Sequence, residues 1–155
     1  MAMPGAASEQ PENPFRWKAP DSWVQAPAAP ARVVTYKVAP RQTVECYVAV
    51  LGGAAGGTFM NVNRWRSQLG QGSLSEEQVA ALRKVKVLGT EAPLVEVAGN
   101  YTDMRGEAHE GSMLLATMAP LDGYTVFVKM VGPEAEVRAE RERFVQFCAS
   151  LEVAK

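Results

Sequence analysis

The sequence is poor in the residues that build metal and redox centres: two cysteines and one histidine in 155 residues. That scarcity excludes a disulfide scaffold and the four-ligand zinc sites, which need Cys or His in clustered pairs. An excess of one charge is lacking too. Sixteen Lys and Arg stand against seventeen Asp and Glu, a formal net charge of −1, which excludes the strong basic excess of a general nucleic-acid binder. No run approaches the ~20 apolar residues of a membrane-spanning helix. No basic stretch leads into an apolar one as in a secretory signal, and no fixed-period repeat is present. What is there is an ordinary globular composition, 47% hydrophobic and 21% charged, in a chain of single-domain length. A chain of this size buries roughly 70% of its unfolded surface, enough to fold without a metal or a disulfide.

Seven of the ten prolines lie in the first forty residues. Residues 1–14 read as a disordered tail and residues 15–155 as one domain. A tail of Gly, Ala, Ser, Glu, Gln and Pro is also what remains where a leader peptide is cut away. That origin and a plain cytoplasmic start both stay open on these residues.

Order begins near Phe15. Trp17 and Trp23, separated by a Pro20-Asp21 turn, are read as anchors pinning this leading segment to the body, with an aromatic ligand platform as the alternative. Runs at 32–38 and 43–51 alternate in the manner of strands and form a hairpin across Ala39-Pro40-Arg41-Gln42. In the second run Val44, Cys46, Val48 and Val50 share one face. Gly52 to Gly57 leads into a helix over 58–70 with Val62, Trp65 and Leu69 on its apolar stripe, Thr58 as N-cap and Gly70 just past the end. Ser73 or Ser75 caps a short helix over 76–83. Runs at 85–88 and 94–97 flank a hairpin loop at 89–93, and 100–111 reads as polar and irregular. The Asp122-Gly123 turn joins strands at 112–118 and 124–131. Pro133 opens a long final helix whose stripe is Val137, Arg141, Phe144, Phe147, Cys148 and Leu151, with Glu134–Arg138 and Arg138–Glu142 as surface charge pairs. The count predicts an α+β fold: a single antiparallel sheet of about six strands with helices packed on it.

Candidate chemistry is sparse. Gly52-xxxx-Gly57-Thr58 lacks the Lys of a Walker loop, and its spacing is not that of a dinucleotide fingerprint. A flexible crossover or a nest for a small anion are the two readings of this loop. Asn61 and Asn63 sit where helix formers are expected, which points to side chains tying the Gly-rich loop to the helix. Arg64, Arg66 and Gln68 add donors, and no carboxylate lies between Gly52 and Leu74. Gly56, Gly57, Asn61, Asn63, Arg64 and Arg66 are therefore the candidate ligand- or partner-binding residues. Glu107, His109 and Glu110 offer only an opportunistic metal set. Asp103, His109 and Ser112 make a catalytic triad on paper with no nucleophile elbow behind it. Cys46 and Cys148 read as small buried hydrophobes, and whether they are bonded is open. The sequence assigns no catalytic residue, no metal and no cofactor.

Two segments carry a resemblance. Trp17-Lys18-Ala19-Pro20-Asp21-Ser22-Trp23, and Gly57-xxx-Asn61-Val62-Asn63-Arg64-Trp65-Arg66-xx-Leu69-Gly70 after a strand ending in Gly52-Gly53, resemble a group of small bacterial proteins of unknown function. Those proteins are secreted or lipid-anchored. The element order is similar to the Mog1/PsbP-like α/β/α sandwich. The resemblance implies a non-enzymatic binding or assembly module of the bacterial cell envelope, monomeric, periplasmic or held at the membrane through a removed lipid anchor. It implies a protein or small anionic ligand as partner, and no nucleic acid. An enzyme or a cytoplasmic adaptor that binds a small anion at Gly52–Gly57 and the following helix is the alternative.

Overall fold

The computed structural model describes residues 14–38, 43–53, 55–103 and 105–153; the expected tail and the 39–42 connection lie outside them. In chain order the elements are β1 (Phe15–Arg16), β2 (Trp23–Gln25), β3 (Arg32–Val38), β4 (Val44–Gly52), α1 (Gly57–Gln68) and α2 (Glu76–Ala80). There follow β5 (Lys84–Val87), β6 (Thr90–Pro93), β7 (Val95–Thr102), β8 (Ala108–Leu121), β9 (Tyr124–Pro133), α3 (Glu134–Ala139), α4 (Arg141–Ser150) and β10 (Glu152–Val153). Six of the strands form one sheet in the order β2-β3-β4-β9-β8-β7, every neighbouring pair antiparallel. The α+β class expected from the sequence is the observed one.

Period-two alternation aims the sheet at two separate cores. On one face Val44, Cys46, Val48, Val126, Val128 and Met130 meet Val137, Phe144, Phe147 and Cys148 of α3 and α4. Trp23, Tyr36 and Phe147 make a ring cluster there, with centroids 5.2–5.9 Å apart. On the other face Leu114, Ala116, Met118 and Phe127 receive Val62, Trp65 and Leu69 of α1. The middle of β8 is covered on both sides, so residues 112–119 are all buried. Helix α1 lies over β7 and β8. At Gly99 a Cβ would fall 2.1 Å from the Leu69 carbonyl oxygen, so the close approach of helix and strand requires glycine.

The leading segment is pinned as expected. The Trp17 indole N–H donates to the Tyr36 hydroxyl at 2.9 Å, and Trp23 is buried with its N–H on Glu140. Strand β1 pairs with β10, so the two ends of the described chain lie side by side.

Several expected boundaries move, each for a physical reason. Residues 90–93 are not a loop but strand β6, because Leu88 and Gly89 turn the chain alone with φ of 53° and 76°. That two-residue turn normally carries Asn-Gly, and Leu in its first place hides it. The irregular stretch at 100–111 is instead the end of a hairpin, β7 running to Thr102 and β8 starting at Ala108. Its turn is held by Asp103, whose carboxylate accepts the Arg105 and Glu107 N–H groups. The final helix breaks at Glu140. Pro133 precedes α3 as its N-cap rather than opening one long helix. The break rotates Glu142 away from Arg138 and onto Arg83, so the Arg138–Glu142 pair does not form while Glu134–Arg138 does, at 2.7 Å. Glu140 itself is 8% exposed and accepts from both Trp23 and Arg143. Helix α2 ends at Ala80, and Ser75 caps it in a reciprocal box with Gln78.

Candidate functional site

The Gly-rich crossover is a run of left-handed backbone: Gly53, Ala55, Gly56 and Gly57 have φ of 69°, 50°, 88° and 80°. Gly56 is the N-cap of α1 and brings no side chain to it, and Thr58 lies inside the first turn rather than at the cap. Asn61 takes over the anchoring role. It is 3% exposed, and its amide donates to the carbonyls of Ala55 and Gly57 at 2.8 and 2.7 Å. The loop is fixed from the other side as well, through Gly53 N–H to the Gly123 carbonyl and the Thr125 hydroxyl to the Gly53 carbonyl. Asn63 does not reach the loop. It pairs with the Leu74 backbone, accepting its N–H at 2.7 Å and donating to its carbonyl at 3.1 Å, and so ties α1 to the connection before α2. The far end of α1 closes as expected, with Gly70 at φ 77° and the Gly70 and Gln71 N–H groups on the Ser67 and Arg66 carbonyls.

The two arginines go to neutral acceptors. Arg64 donates to the Asn61 side-chain oxygen and Arg66 to the Gly72 carbonyl. Among the described residues neither meets a carboxylate. The structure does not bring the two together, because two residues along a helix rotate the side chain by about 200°. Arg64 is exposed and its charge is felt at Lys129 and Tyr47, whereas Arg66 serves the loop at Gly72.

Beside α1 the sheet face carries a group of cations that the sequence reading missed. A register shift between Arg32 and Val34 breaks the alternation of β3 and puts Arg32 on the same face as Thr35 and Lys37. Its guanidinium lies over the Tyr47 ring at 3.6 Å and pairs with Glu45 at 3.2 Å. Lys37 also reaches Glu45, at 3.1 Å. Lys129, opposite Tyr47 in the β4–β9 ladder, has its ammonium 5.9 Å from both the Tyr47 and the Trp65 rings. Among the described residues it has no hydrogen bond and no ion pair. Burial, reinforced by Arg64 and Arg32, pushes its amine down to about 8. Burial raises the Tyr47 hydroxyl. The Trp65 indole N–H is buried and has no partner among the described residues. One sequence signal was available: Lys129 occupies the strand face of Phe127 and Val131, where a charge interrupts an otherwise apolar pattern.

The other candidates resolve simply. His109 bonds the Asp103 carboxylate at 3.0 Å, and that bond is the main cause holding Asp103 below its ordinary value. Ser112 gives its hydroxyl to the His109 backbone carbonyl instead of the ring, so the paper triad is not assembled. Asp103 rather than Glu110 joins Glu107 and His109, with ligand atoms within 4.8 Å of one another on an exposed turn. Cys46 and Cys148 are buried in the same core as free thiols, both raised by desolvation. An open cavity of about 480 Å³ lies along the leading segment, between Trp17, Pro20, Asp21 and Tyr36.

The class that these features define is an antiparallel sheet sandwiched between helices, with a partly buried cationic group beside α1. No family model and no curated protein matches the sequence. Among solved structures, the chain is similar to a protein of Bacteroides thetaiotaomicron VPI-5482, with a TM-score of 0.54 at 12% identity over 92% of this chain. It spans 46% of that chain, about half its length. It is also similar to LpqN, involved in cell envelope biogenesis of Mycobacterium tuberculosis, with a TM-score of 0.48 at 9% identity, covering 91% of this chain and 83% of that one. A third is cyanobacterial PsbP (CyanoP) from Synechocystis sp. PCC 6803, with a TM-score of 0.49 at 14% identity, covering 90% and 86%. At these identities the likeness is one of fold. No helix among the described residues is long and apolar enough to cross a membrane.

Proposed function

We propose that this chain is a non-enzymatic binding module of the bacterial cell envelope that takes an anionic ligand or an acidic partner around α1, where Arg64 and Arg66 present charge on two sides of the helix. One observation carries the reading: Arg64 and Arg66 are fixed in place by neutral acceptors, and no carboxylate of the described chain neutralises them. Arg83, Arg138, Arg141 and Arg143, by contrast, each meet a carboxylate. Side chains positioned in advance and left without counter-ions are suited to an anion from outside. The envelope assignment is supported by the resemblance of the Trp17–Trp23 and Asn61–Leu69 segments to secreted and lipid-anchored proteins.

The test is a titration of the ¹⁵N-labelled chain with hexaglutamate. Shifts are expected on α1 and the Gly52–Gly57 loop, weakening as salt rises, since exposed charges are screened. An Arg64→Ala/Arg66→Ala variant should keep its melting temperature and lose the binding. Binding unchanged in that variant, or shifts confined to another face, would refute the ligand reading. Recovery of the native protein in the cytoplasmic fraction would refute the envelope reading.

A further inference from the structure

We infer that Lys129, Arg64 and Arg32, gathered around Tyr47 at the edge of α1, form a binding site for a single phosphate group, free or as a phosphomonoester. This rests on the reading that the α1 face binds anions, and it narrows that reading to one site and one chemical class. Three different elements supply the cations: β9 gives Lys129, α1 gives Arg64 and the irregular start of β3 gives Arg32. Among the described residues, Arg32, Lys37, Arg64 and Lys129 gather beside Glu45, whose carboxylate is shared by Arg32 and Lys37. The surplus suits a dianion better than a monoanionic carboxylate. The donors also suit tetrahedral oxygens: a point-like ammonium, a planar guanidinium fork and the unpartnered indole N–H of Trp65, whose ring lies 5.9 Å from the Lys129 ammonium.

Lysine in a mid-strand position on an apolar face is costly unless a counter-charge meets it. Here the residues around it make the cost larger. The Tyr47 and Trp65 rings lie 5.9 Å from the Lys129 ammonium, and the charges of Arg64 and Arg32 act against it; the carboxylates felt by the neighbouring tyrosines are Glu45, at Tyr47 and Tyr101, and Asp103, at Tyr101. Glu45 is engaged by Arg32 and Lys37 and Asp103 by His109, and among the described residues neither pairs with Lys129. An incoming phosphate supplies the counter-charge that the fold omits, and its binding keeps the amine charged to higher pH.

The experiment uses the full chain with its lysines dimethylated with ¹³C, the Lys129 signal being assigned by its loss in Lys129→Met. Inorganic phosphate should shift that signal and raise its titration midpoint by about one pH unit or more, because an opposite charge favours the ammonium. In calorimetry Lys129→Met and Arg64→Gln should weaken phosphate binding by about tenfold or more, while Arg66→Ala changes it by less than about twofold. In the same assay, vesicles of phosphatidylcholine with phosphatidic acid separate the sources. Binding to vesicles that depends on Lys129 and outcompetes inorganic phosphate assigns the group to a lipid head, and equal competition assigns it to a soluble ligand. A Lys129 signal unmoved by both probes, or binding that survives Lys129→Met and Arg64→Gln, overturns the inference. If hexaglutamate still binds through Arg64 and Arg66 in that case, the broader reading stands without it.

Discussion

Lys129→Met isolates the energetic cost of the cation patch. The amine drops from an ordinary 10.5 to about 8, chiefly through burial. That difference corresponds to about 3 kcal/mol acting against the charged form in the folded chain, reduced to about 2 kcal/mol where solvent reaches the half-buried stem. Below pH 8 both folded and unfolded lysine hold the proton, so the whole cost is present. Between pH 8 and 10.5 the folded amine has lost its proton while the unfolded one still binds it, so stability rises with pH by at most about 1.4 kcal/mol per pH unit. Above that window the cost has gone. Methionine keeps most of the stem and removes the titration. The variant should therefore be more stable than the parent at pH 7, and the gap should close steadily toward pH 10. Urea unfolding in phosphate-free buffers at several pH values reads this directly, with the midpoint converted through a shared m-value. Any packing change adds a constant offset, so the slope of the difference is the diagnostic. Tyr36, Tyr47 and Tyr101 also titrate late because burial raises them, and they are common to both proteins. Two parallel stability curves between pH 7 and 10 would refute the argument, since they would mean that Lys129 is hydrated in the folded state.

Phe147→Ala removes the ring that sits between Trp23 and Tyr36 in a fully buried position; thermal or urea unfolding should show a loss of about 3–5 kcal/mol, and a loss below about 1 kcal/mol would place α4 differently. Gly99→Ala pushes a methyl into the Leu69 carbonyl, so β7 and α1 must part; stability should fall by about 2 kcal/mol or more, with the Trp65 fluorescence shifting to the red.

The apolar patterns were legible where a single face decides the structure. Val44 to Val50 alternate, Val62, Trp65 and Leu69 recur at helical spacing, and Asp122-Gly123 marks its hairpin, so these elements form where the sequence places them. The candidate site was legible in part. The asparagines announced side chains used on local backbone, and Asn61 does hold the Gly-rich loop. What escaped depends on geometry that the sequence marks only at Lys129, where a charge interrupts an apolar strand face. A bulge carries Arg32 across the sheet, and strand order sets Lys129 opposite Tyr47 although the two are far apart in sequence. The break at Glu140 has no Gly or Pro to mark it. It is stabilised by Trp23 from the other end of the chain, a contact that helix propensity cannot register.

The short ladder between β1 and β10 has a topological consequence. Phe15 faces Val153 and Arg16 faces Glu152, so the polypeptide between them is a loop already closed through space. A covalent link across that gap would remove freedom from the unfolded chain and ask little of the folded one. Traced through this ladder the described chain is a ring with one cut, and a different turn can in principle carry the cut. Reopened at the exposed Asp122-Gly123 turn, with residues 15 and 153 spliced, the same strands would be traversed in rotated order and the cation patch would be assembled from the opposite ends of the chain.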